Sequence, residues 1–326
     1  MSVIRERTAP PSHLRRPATG TAGPPRGRRS GEPRGLWPYV LIAPAVGGML
    51  YLLLYPLLRA VLISLQDFRL RQLIVGDAEF VGLRNYRTLL SDPRFWEVVR
   101  RTFLFMAVNV VLIMVIATLV ALMTERLGRF GRTVVLSSLV LAWAMPVVAA
   151  TTVFQWLFHS EFGIVNRLLT EAGFASFDRY PWFAHGGAAF SILVLLIVWQ
   201  SVPFAAITVY SALTTVPAEL YESARLDGAS GSRIFRSVTF PMLRPIFLLV
   251  FSLEVIWTFK AFVQIWVMTR GGPGDATTIL PVYAVQTALA GQRYDLGSAA
   301  SMLTVVLMSG VLVLYFRQML RQEDES

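Results

Sequence analysis

The sequence predicts an all-α, polytopic membrane protein with about six transmembrane helices, and three observations carry that prediction. Of the 326 residues, 55% are hydrophobic and only 15% are charged, whereas soluble domains carry about a quarter charged residues. Mean hydropathy is +0.56. The apolar residues are also gathered into runs long enough for helices of about 20 residues, the length that crosses about 30 Å of hydrocarbon.

Those runs cover about 38–58, 102–124, 133–158, 188–213, 242–268 and 297–316. Pro44, Pro146 and Pro203 fall inside them, where neighbouring helices can re-satisfy the freed backbone groups. Between them little chain remains for a separate soluble domain, so one membrane domain is expected over 37–318. A short tail is expected over 319–326.

Residues 1–36 read differently. Arg5, Arg7, Arg15, Arg16, Arg26, Arg28, Arg29 and Arg34 stand against Glu6 and Glu32, among prolines and glycines. Nothing there builds a core, and the reading is a disordered cytoplasmic tail beside acidic lipid. With no aromatic before Trp37, the net charge of +10 is not read as nucleic-acid binding. The following apolar run is too long for a cleaved signal peptide.

With the N-terminus inside, the inner segments gain Arg126, Arg129 and Arg132, then Arg225, Arg233, Arg236 and Arg244, then Arg317 and Arg321. Together with the tail they outnumber the outer arginines, so both termini are expected in the cytoplasm.

Composition also excludes chemistry. The sequence has no cysteine, which removes disulfides, thiol catalysis and zinc–thiolate sites. Its one lysine, Lys260, follows no GxxxxGK[ST] run, so the chain holds no Walker A loop. His159, Glu161 and His185 fit no metal-ligand spacing. No cofactor is expected in this chain.

The segment at about 216–241 is the informative loop. Pro217 suits a first helical turn, and Glu219 and Glu222 favour its positive end. Leu220, Tyr221 and Ala224 share a face, and Asp227-Gly228 is a turn signal. A second short helix is expected over 231–237, before Pro241 opens the fifth span. A surface helix–turn–helix with no chain of its own to cover it reads as a docking element.

Glu222-Ser223-Ala224, then Gly228, Val238, Phe240 and Pro241, resembles the coupling loop of binding-protein-dependent ABC importer permeases. That family's pattern is Glu-Ala-Ala, three residues, Gly, nine residues, Ile, any, Leu-Pro. The departures are Ser for Ala, Val for Ile and Phe for Leu. Phe80–Tyr86, Phe162–Leu169 and Thr269–Thr277 are similar to landmarks of the carbohydrate branch (maltose, glycerol-phosphate and chitobiose types).

The resemblance covers nearly everything after residue 37. It implies the type I importer permease fold and a transport subunit that is not itself an enzyme. It implies as partners a second homologous permease subunit, a nucleotide-binding ATPase dimer using ATP and Mg, an extracytoplasmic solute-binding protein and a sugar. It places coupling on Glu222, Ala224, Asp227, Gly228 and Pro241, in a bacterial cell membrane.

Polar groups inside spans are expensive and therefore functional candidates. Here they are Asn109, Gln155, Trp199, Gln200, Glu254, Trp257, Lys260 and Gln264, with the last four spaced to share one stripe of the fifth span. The bland alternative for each is interhelical packing. An ion-gradient-driven secondary transporter would need titratable midplane residues, and Glu254 alone offers itself. A membrane enzyme lacks a histidine in any span or a carboxylate pair.

Overall fold

The computed structural model describes residues 37–324. The basic tail expected over 1–36 lies outside them. The chain divides into two compact units, one ending at Leu54 and one beginning at Tyr55. Helix α1 (Trp37–Ser64) supplies the described part of the first unit. Its apolar side chains there are exposed, Tyr39 at 74% and Leu41 at 76%, as expected of a helix that faces lipid or another chain.

In the second unit a two-residue ladder, β1 (Gln66–Asp67) with β2 (Glu79–Phe80), flanks α2 (Leu70–Val75) and precedes α3 (Arg84–Leu90). Buried Asn85 donates its side-chain amide to the carbonyls of Ser64 and Gln66, and the Tyr86 hydroxyl bonds Ser64 Oγ at 2.7 Å. The polar residues of the Phe80–Tyr86 landmark are therefore a staple at the end of α1.

Helix α4 (Pro93–Arg126) opens on a capping aspartate, Asp92, with proline in the first turn. Both features are start signals. The expected third span is two helices, α5 (Arg129–Trp143) and α6 (Val147–Leu157), bent by 98°. This corrects the single span read from sequence. Pro146 has no N–H to donate and biases the preceding residue away from helix. No α5 residue is buried, so no surrounding helix holds the axis straight.

After α7 (Ile164–Glu171), α8 (Gly186–Leu213) keeps Pro203 within an unbroken helix. Buried residues recur along its whole length, and it forms the centre of the largest apolar cluster with Phe105, Ile113, Phe154, Val250 and Ile265.

Next come α9 (Ala218–Leu226) and α10 (Gly231–Ile234), then a π-helical turn at Phe235–Thr239 leading without interruption into α11 (Phe240–Phe259). Pro241 therefore does not open the fifth span: helix already runs from Gly231. The wide turn just before it is where a ladder can absorb the missing proline N–H.

α11 stops at Lys260 and resumes as α12 (Val263–Met268). α13 (Leu280–Val285), continued by π-helical turn to Ala290, precedes α14 (Tyr294–Asp324). Helix thus continues into the segment expected as a C-terminal tail.

Among the described residues, five helices are long and apolar enough to cross a membrane, or six if the bent α5–α6 pair is one span. The chain is a multi-pass membrane protein.

Candidate functional site

One end of the α4–α8–α11 core carries the loop singled out by its sequence. α9 closes with a Schellman motif: the Ala229 N–H bonds Ala224 O and the Gly228 N–H bonds Arg225 O, both at 3.0 Å. Gly228 has φ +73°, the left-handed position that glycine occupies without Cβ strain. Asp227 is the C-cap residue, and its N–H bonds Ser223 O.

The helix has two sides. Tyr221 and Ala224 are half-buried, with the Tyr221 hydroxyl 3.3 Å from Thr239 Oγ1. The chain therefore covers part of the face expected to be bare. Glu222, Leu226, Asp227 and Gly228 point away, and Leu226 is 89% exposed. A groove of about 570 Å³ runs beside it, lined by Leu122, Glu125, Arg126, Glu222, Arg225 and Phe235 among others. Leu226 was missed by sequence reasoning, although it stands one turn after Glu222.

A polar layer crosses the spans. Asn109 is fully buried on α4, where its amide donates to Phe105 O at 2.8 Å and leaves Oδ1 without a partner. On α11 Glu254 is fully buried with both carboxylate oxygens unpaired, and Thr258 one turn on is unpaired too. Ser201 of α8 lies near enough to act on the Glu254 carboxylate, but no bond of good geometry joins them. An unpaired buried carboxylate is costly, so this layer is where a further polar partner is called for.

Around it lie aromatic rings. Phe204 sits 5.0 Å from Trp257 and 6.0 Å from Trp143, and Trp199 is 5.8 Å from Phe154. Gln264 donates to Gln200 Oε1 at 3.2 Å. Gln155 donates to the carbonyls of Val267 and Met268, both at 3.1 Å, which ties α6 to the end of α12.

The expected stripe of Glu254, Trp257, Lys260 and Gln264 is interrupted by the break at Lys260. Glu254 is buried, Trp257 half-buried and Lys260 exposed. Gln264 restarts on α12. Ser201, Phe204, Thr258 and Trp143 join the layer without a sequence signal, because their placement depends on which helices pack together.

At the far end of α4 the loop after α12 is tightly bound. Arg101 donates to Asp275 O at 2.7 Å and Thr278 O at 3.2 Å, and Arg94 pairs with the Asp275 carboxylate at 2.7 Å. Gln286 donates to Arg270 O, and Thr269 bonds Thr277. Nearby, the fully buried Asp295 accepts both arms of Arg293 at 3.0 Å. That hydrogen bonding holds the Arg293 guanidinium above its usual pKa.

His159 stacks on Phe162 and His185 on Tyr180. Among the described residues no three acidic or histidine side chains stand close enough to hold a metal.

A polytopic helical core with an exposed coupling helix at one end is the architecture of a transport permease. Residues 113–322 match the family model described as "Binding-protein-dependent transport system inner membrane component", and the chain belongs to that family. It is 45% identical over 326 residues, all of this chain and 99% of the relative, to the diacetylchitobiose uptake system permease protein DasB of Streptomyces coelicolor.

It is 32% identical to the sulfoquinovosyl glycerol transport system permease protein SmoG of Agrobacterium fabrum, over 87% of this chain and 90% of the relative. Identity is also 32% to the trehalose/maltose transport system permease protein MalF of Thermococcus litoralis, over 86% and 92%. A crystal structure of a bacterial ABC transporter that imports the acidic polysaccharide alginate shares the fold. The TM-score is 0.75 at 19% identity, over 88% of this chain and 96% of that one. The chain is accordingly an ABC importer permease and not an ion-driven secondary transporter.

Proposed function

We propose that this permease imports a sugar or oligosaccharide as one of two homologous membrane subunits, taking it from an extracytoplasmic binding protein and driven by a separate ATPase dimer. The sugar class is supported by the names of its relatives, which transport diacetylchitobiose, sulfoquinovosyl glycerol and trehalose/maltose. The binding protein is supported by the alginate importer's structure in complex with its periplasmic protein. Both termini lie in the cytoplasm, on the side of α9.

The observation that carries the coupling role is α9 itself. Glu222, Leu226 and Asp227 project from a helix whose direction is fixed by the Gly228 turn and the Tyr221–Thr239 contact. The ATPase cleft closes on this helix. Ala224 and Pro241 hold it against the start of α11, and motion passes into the spans through that continuous helix. Inside, Asn109, Glu254, Trp257, Lys260, Gln200, Gln264, Trp199 and Gln155 line or brace the sugar's route. Rings there stack on sugar C–H faces and the amides and carboxylate meet hydroxyls.

The test is co-purification. The tagged chain and its Gly228→Arg variant are extracted gently from the native host, and bound proteins are identified. Wild type bringing down a second permease and an ATPase, with the ATPase lost from the variant, is the expected result. Normal transport by Gly228→Arg would sink the coupling role.

A further inference from the structure

Lys260 stands at the break between α11 and α12, flanked by apolar helix on both sides. It is the one lysine in the sequence. Its side chain is exposed, and no hydrogen bond or ion pair to it occurs among the described residues. Facing lipid, a lysine at the centre of a span costs about 2.5–3.5 kcal/mol. Glu254 does not compensate it: six residues earlier on the same helix, that carboxylate is directed about 240° away and is fully buried.

The other unsatisfied or polar groups of the spans gather at the same break. Thr258 and Glu254 lie within two turns below, the half-buried Trp257 ring lies between them and Lys260, and the Gln264–Gln200 pair lies just beyond. A charge placed among these groups faces a wet route rather than lipid. An ammonium carries three donors and no acceptor, and its strongest partners are carbonyl and carboxylate oxygens. Hydroxyls, which both give and accept, are already served by the two glutamine amides.

We infer that Lys260 is a substrate contact that selects sugars bearing an exocyclic carbonyl oxygen, whether of an acetamido or a carboxylate group. The inference rests on the sugar-importer reading and goes further, because it names the group recognised and the residue that recognises it.

Uptake of three labelled probes separates the possibilities: N,N′-diacetylchitobiose, a galacturonate trisaccharide and maltotriose. Each is given to a strain lacking the native gene and complemented with wild type, Lys260→Met, Lys260→Gln or Lys260→Arg. The expected result is that Lys260→Met lowers uptake of the acetamido or the uronate probe by about tenfold or more, the scale of one charge-assisted hydrogen bond. Any maltotriose uptake stays unchanged.

Rescue by Lys260→Gln identifies the acetamido group, for which a neutral donor suffices. Rescue by Lys260→Arg alone identifies the carboxylate. Wild type should also be acylated at Lys260 by a water-soluble amine reagent in permeabilised cells, and less so with the transported sugar present.

Unchanged uptake in Lys260→Met overturns the inference, as does equal loss of every probe, wild-type uptake of maltotriose alone, or a Lys260 that the reagent never reaches. Wild type that carries none of the three overturns the sugar-importer reading itself, and the inference with it.

Discussion

The two ends of α4 are each closed by a loop that turns on a left-handed glycine, and the two glycines have opposite surroundings. A Cβ on Gly228 would meet nothing within 4 Å, whereas one on Gly271 would strike Thr278 Oγ1 and the Gln286 side-chain nitrogen. Gly228 has φ +73° and Gly271 φ +91°. The first turn is held by its own backbone and leaves its outer face bare for another chain. The second is packed in by Arg94, Arg101 and Gln286 and presents a fixed surface. A loop built to be gripped keeps its interactions local, and a loop built to hold shape draws on distant residues.

Substitutions break this comparison in order of size. Gly271→Ala adds backbone strain to a collision in a buried turn and should cost about 3 kcal/mol or more, read as a lower thermal aggregation temperature of the detergent-solubilised protein. Arg101→Ala leaves the Asp275 and Thr278 carbonyls without their donor and should cost about 2 kcal/mol. Protease cleavage should then appear within 270–278.

Gly228→Ala should cost only about 1 kcal/mol, the left-handed penalty alone, because its Cβ has open space. An aggregation temperature lowered as far as in Gly271→Ala would show that the coupling turn is packed after all. The smallest effect on stability is expected of Leu226→Asp, within about 0.5 kcal/mol for an exposed position. That variant should nevertheless lose the co-purifying ATPase, and retention of the ATPase would move the docking contact elsewhere on α9.

How far sequence reaches can be seen in the prolines. Pro44, Pro146 and Pro203 looked alike as residues inside apolar runs, yet α8 stays unbroken at Pro203 while the third span bends by 98° at Pro146. α8 is packed on by α4, α5 and α11, which favours one straight axis. α5 buries nothing. The coupling turn, by contrast, was fully legible: Asp227-Gly228 ends α9 by bonds that span only a few residues.

The candidate route was half legible. Glu254, Gln200 and Gln264 stand out as polar residues in apolar runs, but Ser201, Phe204 and Thr258 do not, and the break at Lys260 has no proline or glycine to announce it. There the Ala261 N–H folds back to Thr258 O and the Phe262 N–H to Lys260 O, while α12 packs on α6.

By itself the sequence determined the membrane class, the apolar runs and the coupling turn, because burial preference, helix period and the conformational freedom of glycine act over a few neighbouring residues. Only the tertiary structure decided where the third and fifth spans break, which face of α9 remains bare and which polar groups share a layer. Those outcomes depend on helices far apart in sequence competing for the same buried surface, and no local pattern of residues encodes which of them wins.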